Sequence, residues 1–129
     1  MENITQENLE NWLAGALEGG SNYWYMINDY DKTGFDKKLS TLDNFAKSLI
    51  ETPNYSIKIY DIETFYEDED SDPEESFLGE ITLENIVKGL DLMKANYNEM
   101  YERMISGDWD ADDADVWLQL SVMGDVVYG

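Results

Sequence analysis

The spacing of apolar positions predicts two helices in the first half of the chain. Apolar residues recur at helical intervals from Thr5, whose side chain can cap the helix, to a stop at Gly19-Gly20. A second helix begins at Ser40 or Thr41. It ends at Pro53, because the residue before a proline is disfavoured in the helical region.

The same spacing predicts two helices in the second half. The third helix follows Thr82 and keeps one face apolar for about six turns. Ile81 and Ile86 stand at the positions of a hydrophobic staple around its start. The last helix, capped by Asp110 or Asp112, is apolar almost all round, which is typical of a buried helix.

Three short apolar or aromatic segments are predicted to be strands. They cover residues 22–27, 55–60 and 77–81, and the second is expected to run on towards Phe65. An uninterrupted run of polar and acidic residues near 66–76 predicts a mobile, solvated loop between the last two strands.

Together these elements predict one α+β domain over residues 1–129. About four helices pack on a small three-stranded antiparallel sheet, with the C-terminal helix buried. The chain has no cysteine, and its start lacks the basic and apolar regions of a signal peptide. No window approaches the ~18 apolar residues of a membrane-spanning helix, so the expected location is the cytoplasm.

Charge changes the picture most. Asp and Glu number 29 against 8 Lys and Arg, with no His, for a formal net charge of −21. The chain is nevertheless 43% hydrophobic and 13% aromatic, which predicts a folded protein rather than a disordered acidic one. Bare nucleic acid and anionic membranes would repel it. We therefore expect a basic protein as the partner.

The acids are unevenly spread along the chain. Residues 1–31, 59–87 and 104–129 contain acids and no base, so all the lysines and the arginine lie in 32–58 and 88–103. If the three anionic stretches share a face, that face has a strong negative potential. The predicted partner-binding acids are Asp61, Glu63, Glu67, Asp68, Glu69, Asp70, Asp72, Glu74, Glu75, Asp108, Asp110, Asp112, Asp113 and Asp115.

The spacing Asp108-x-Asp110-x-Asp112 is that of the start of an EF-hand calcium loop. The loop also needs Gly at its sixth position and Glu at its twelfth, where this chain has Asp113 and Gln119. An acidic helix N-terminus is the favoured interpretation. We expect no metal and no cofactor. Without His or Cys, general-base and thiolate chemistry lack their usual groups, so we expect no enzyme activity.

Two glycines beside aromatic residues make residues 19–25 unusual. Asn22, Tyr23, Trp24 and Tyr25 are candidate ligand-binding residues, since their rings could stack on a planar ligand such as a nucleotide. The structural alternative is the end of a helix followed by a core strand.

Three segments carry a resemblance to known proteins. They are ALEGGSNYWY at residues 16–25, DADDADVWLQ at 110–119 and GDVVYG at 124–129, with residues 81–97 also similar and 28–78 the loosest. The chain resembles a family of small acidic proteins encoded in bacteriophage and prophage genomes. That resemblance implies the cytoplasm of an infected bacterium as the setting and supplies no catalytic residue. In that setting phages use small acidic proteins to block host defence enzymes, some of them by imitating DNA.

Three functions follow as hypotheses. The favoured one is a phage-encoded inhibitor that imitates DNA and binds the basic cleft of a host nucleic-acid-processing protein. The second is a module that binds or sequesters a nucleotide through residues 19–25. The third is a structural or assembly protein that forms a homodimer, for which an exposed Trp117 or Val127 would be favourable.

Overall fold

The computed structural model describes residues 4–67 and 73–129, apart from the side chains of residues 65–67 and 73. The elements are α1 (Gln6–Gly15), a π-helical turn (Ala16–Gly20), β1 (Tyr25–Met26), α2 (Thr41–Glu51), β2 (Ile57–Asp61), α3 (Ile62–Glu67), a 3-10 turn (Pro73–Ser76), β3 (Phe77–Ile81), α4 (Leu83–Asn96), α5 (Asn98–Ser106) and α6 (Ala111–Met123). The predicted α+β class is confirmed. The centre of the predicted acidic loop, with Asp68, Glu69, Asp70 and Asp72, lies outside the described residues.

Side-chain caps fix where the helices begin. Thr5, Ser40 and Thr82 each accept a hydrogen bond from the backbone N–H three residues later. Asp110 does the same for α6 and forms a full capping box with Asp113. Thr5 and Thr82 cap as predicted, and of the alternatives left open the caps are Ser40 and Asp110, because caps depend on local sequence.

The predicted long helix is two helices. Tyr97 has φ −138° and ψ 53°, which interrupts the helix between α4 and α5. This interruption raises the number of helices above the expected four. The expected continuation of β2 to Phe65 is wrong, since α3 begins at Ile62. The Oδ1 atom of Asp61 accepts a 2.9 Å hydrogen bond from the backbone N–H of Thr64, which favours a helical turn there.

The sheet is antiparallel in the order β1-β2-β3, with Tyr25 paired to Asp61 and Ile57 paired to Ile81. β1 is much shorter than the predicted strand 22–27, because residues 21–24 form a turn.

Helix α6 lies at the centre of the fold, as predicted, and contacts α1, α4, α5, the π-helical turn and β3. The ring of Trp117 on α6 meets that of Trp12 on α1 edge to face, with 5.7 Å between the centroids. Gly89 of α4 lies directly against Ser121, where any side chain on residue 89 would collide with α6. Among residues 4–67 and 73–129, no helix has the length and apolar character needed to cross a membrane.

Candidate functional site

A buried carboxylate joins the two ends of the chain. Asp115 of α6 is 8% exposed. Its Oδ1 atom accepts hydrogen bonds from Ser21 Oγ (2.7 Å) and Trp24 Nε1 (2.8 Å). Its Oδ2 atom accepts hydrogen bonds from Tyr23 OH (3.0 Å) and Gln119 Nε2 (3.1 Å). We call these five residues the Asp115 network. It satisfies the buried carboxylate with four donors.

The second glycine of the Gly19-Gly20 pair lets the network form. A Cβ atom on Gly20 would overlap the carbonyl oxygen of Ala111 and stand 3.0 Å from Cβ of Asp115. A Cβ atom on Gly19 would meet only Ala111 Cβ, at an ordinary 3.6 Å. Gly20 is therefore required where the π-helical turn approaches the start of α6.

Gln119 extends the network to the last residues of the chain. Its Oε1 atom accepts hydrogen bonds of 2.8 Å from the backbone N–H groups of both Val127 and Tyr128. Its Nε2 atom donates to the carbonyl oxygen of Tyr128 at 3.0 Å. Because every polar atom of this buried amide has a partner, the segment after α6 is held firmly against the fold.

Tyr128 connects this segment to the sheet. Its ring stacks on Trp24 with a 5.1 Å centroid separation and an 11° interplanar angle. Its hydroxyl donates a hydrogen bond to Oδ2 of Asp61, at the end of β2. Burial would raise the pKa of Asp61, but the hydrogen bonds from Thr64 and Tyr128 outweigh it and hold the pKa below its ordinary value. Asp61 is therefore ionised at neutral pH.

A second buried carboxylate joins α5 to α6. Asp113 is fully buried and accepts two 2.7 Å hydrogen bonds from Arg103, one from Nε and one from Nη2. Its hydrogen bonds to Arg103 lower the pKa of Asp113 against the opposing effect of burial. The prediction that Asp113 and Asp115 bind a partner is wrong, because both carboxylates are buried and already bonded inside the fold.

The other predicted partner-binding acids differ in their surroundings. Asp61 is half-buried. Glu67 belongs to α3, but its side chain is not among those that the structure describes, and residues 68–72 lie outside the described residues altogether. The exposed ones are Glu63, Glu74, Glu75, Asp108, Asp110 and Asp112.

Acids from all three anionic stretches lie beside the Asp115 network. Glu18 precedes Gly19, which lies against Ala111, and Ala111 precedes Asp112. Glu63 lines one cleft with Tyr23 and Trp24. Burial and the charge of Glu18 raise the pKa of Tyr25. Asp112 contributes, after burial and Asp115, to the raised pKa of Tyr23.

Glu63 completes this group. It contributes, after burial and Asp61, to the raised pKa of Tyr128. We call Glu18, Asp61, Glu63 and Asp112 the acidic face.

The acidic face keeps its negative charge. Between the side chains that the structure describes, the ion pairs are Lys88–Glu84 and Arg103–Asp113, and neither involves the acidic face. Arg103 donates one edge of its guanidinium, Nε and Nη2, to the buried carboxylate of Asp113. The face therefore has a concentrated negative potential.

The candidate ligand-binding residues divide into exposed and enclosed ones. Asn22 is exposed and Tyr23 is 49% exposed, whereas Trp24 is 2% exposed beneath Tyr128. Tyr25 is half-buried, with its hydroxyl donating to the carbonyl oxygen of Leu17 at 2.6 Å. The prediction that Trp24 stacks on a ligand is wrong, because Tyr128 already covers its ring.

The acidic helix N-terminus is confirmed for Asp110, which caps α6, and for Asp112 and Asp113 in its first turn. Within residues 4–67 and 73–129, no three side chains of His, Cys, Asp or Glu come together as metal ligands would.

Sequence reasoning missed Glu18, Ser21, Gln119 and Tyr128 as parts of this site. The available signal was Gln119, a polar residue in a helix that is otherwise apolar all round and so in need of buried partners. No protein-family model, curated protein or solved structure matches the chain. The geometry of the site is therefore the main basis for a functional proposal.

Proposed function

We propose that this protein is a phage-encoded inhibitor that binds the basic, nucleic-acid-binding cleft of a host protein, with its carboxylates in place of phosphates. The target class would be a nuclease, a restriction enzyme or another nucleic-acid-processing defence protein. The observation that carries the proposal is the acidic face, where exposed Glu18, Glu63 and Asp112 come from three separate anionic stretches and stand beside the Asp115 network. The phage setting rests on the sequence resemblance alone.

Charge and rigidity both favour such binding. Duplex DNA presents one charge per ~1.7 Å of its axis, so a protein that replaces it must bring many acids to one surface. Asp115, Gln119 and Tyr128 hold the underlying segments together by hydrogen bonds that are buried or partly buried. A preorganised surface loses little entropy on association. Opposite charges also accelerate encounter and make it sensitive to salt.

Affinity capture from a bacterial lysate, with elution by a salt gradient, tests this function. The acidic-face variant combines Glu18→Gln, Glu63→Gln and Asp112→Asn. The matched control combines Glu51→Gln, Glu102→Gln and Asp91→Asn, which removes the same charges from exposed positions elsewhere.

We expect the native protein and the control to retain the same basic nucleic-acid-binding protein. The acidic-face variant should release it at distinctly lower salt. Equal elution of the two variants, or recovery of ribosomal proteins alone, would contradict the proposal.

A homodimer is the second candidate, and Val127 is the observation that favours it. Its side chain is 61% exposed, whereas Trp117, the other predicted contact, is fully buried. Native mass spectrometry at high protein concentration tests this alternative. A mass of two chains that reverts to one in Val127→Asp would support it, and a strictly monomeric protein would exclude it.

A further inference from the structure

A cleft of about 100 Å³ opens beside the contact between Tyr128 and Asp61. Its lining combines aromatic rings with two carboxylates of the acidic face. The lining residues are Tyr23, Trp24, Asp61, Ile62, Glu63 and Tyr128.

The walls of this cleft are fixed from behind. The hydroxyl of Tyr23 is held by Asp115 at 3.0 Å, and about half of its surface faces solvent. Tyr128 is held by its stacking on Trp24 and by its hydrogen bond to Asp61. Two aromatic side chains are therefore presented without the usual freedom of surface tyrosines.

The charge of the cleft selects its occupant. Asp61 is ionised and half-buried, and Glu63 is exposed with its charge close enough to act on Tyr128. An anion would be repelled. An apolar side chain would remove water from Asp61 without replacing its hydrogen bonds. A cation satisfies both the carboxylates and the negative faces of the rings.

We propose that this cleft receives the guanidinium group of one arginine from the basic partner. Arginine suits it because a planar fork of N–H donors can bridge two carboxylates while its face lies against a ring. The inference rests on the proposed function and adds to it the position at which the partner is anchored.

Binding of a hexa-arginine peptide, followed by two-dimensional ¹H–¹⁵N NMR, tests the inference. The matched probe is hexa-citrulline, which has nearly the same shape without the charge. The test variant is Glu63→Gln. Its control is Glu51→Gln, which loses the same charge at an exposed position outside the cleft.

We expect shifts concentrated at the amides of Tyr23, Ile62, Glu63 and Tyr128, and no comparable binding of hexa-citrulline. Glu63→Gln should weaken the arginine peptide about three- to tenfold, and Glu51→Gln less than about twofold.

The failures are distinguishable. If the arginine peptide binds but its shifts are spread over the surface and both variants weaken it equally, the cleft is not the anchor and the charge-based function stands. Equal binding of hexa-citrulline would overturn the selection of a cation. If neither peptide binds at low salt, both the cleft and the proposed function are overturned.

Discussion

The hydroxyl of Ser21 donates a 2.7 Å hydrogen bond to Asp115, a residue 94 positions further along the chain. Both side chains are buried, so this contact fixes the π-helical turn on α6 without any help from neighbouring sequence. Trp24, Tyr23 and Gln119 share the same carboxylate. The acidic face therefore lies on a framework that local sequence preferences do not determine.

Removal of the buried carboxylate should destabilise the protein strongly. Asp115→Ala leaves the buried donors of Ser21 and Trp24 without an acceptor. Each unsatisfied donor costs about 1–3 kcal/mol of folding free energy. We expect the free energy of unfolding to fall by about 2–5 kcal/mol in urea titrations. Asp112→Ala removes a nearby exposed acid and should change it by less than about 1 kcal/mol. Equal effects of the two substitutions would contradict the network.

The two adjacent glycines should respond differently to alanine. Gly20→Ala places a methyl group against the backbone of Ala111, which cannot retreat without moving α6. A loss of about 1–3 kcal/mol or more is expected. Gly19→Ala makes an ordinary contact and should change stability by less than about 1 kcal/mol. Thermal unfolding of the two variants decides the point, and a tolerated Gly20→Ala would show that the approach is looser than described.

Local signals explain which parts of the fold were predictable. Thr5, Ser40, Thr82 and Asp110 cap helices by contacts within three residues, so the sequence pattern identified them. The interruption of the helix at Tyr97 was not predictable, because no proline or glycine lies near it and the apolar stripe continues through it.

Long-range contacts explain why part of the site was not predictable. In the sequence Asp113 and Asp115 look like the exposed acids around them, and only the packing of α6 shows that they are buried. Their donors, Arg103 and Ser21, lie on other elements of the fold. Tyr128 gave no signal either, since its partners Trp24 and Asp61 lie far away in the chain.

Acidic pH should weaken the contribution of Asp113 to the stability of the fold. Arg103 lowers the pKa of Asp113 below its ordinary 3.8, so the unfolded chain binds the proton more readily than the folded one. The stabilisation is present above pH 3.8 and is lost as the pH falls through the lower native pKa.

The difference in unfolding free energy between the native protein and Asp113→Asn should therefore be largest near pH 6 and shrink below pH 3.8. Urea titrations from neutral to acidic pH measure it, with Asp108→Asn as the control for loss of one exposed charge. A difference that grows on acidification would contradict this assignment.

Alkaline pH should weaken the contribution of Tyr55 to the stability of the fold. Its hydroxyl donates a 2.7 Å hydrogen bond to the carbonyl oxygen of Asp31, and burial raises its pKa from 10.0 to about 12. The stabilisation is complete below pH 10 and is lost as the pH rises through about 12. At pH 8 the free energy of unfolding of the native protein should exceed that of Tyr55→Phe by about 1 kcal/mol. This difference should fall above pH 10. Chemical denaturation at several alkaline pH values measures it, and an advantage that persists to pH 12 would contradict the prediction.

Competition with DNA tests the central claim most directly. The basic protein recovered from the lysate is titrated with this protein in the presence and absence of duplex DNA, at several salt concentrations. We predict mutually exclusive binding and an affinity that falls at least tenfold between about 50 mM and about 200 mM salt. A ternary complex with DNA, or an affinity that salt leaves unchanged, would contradict the claim that the acidic face replaces nucleic acid.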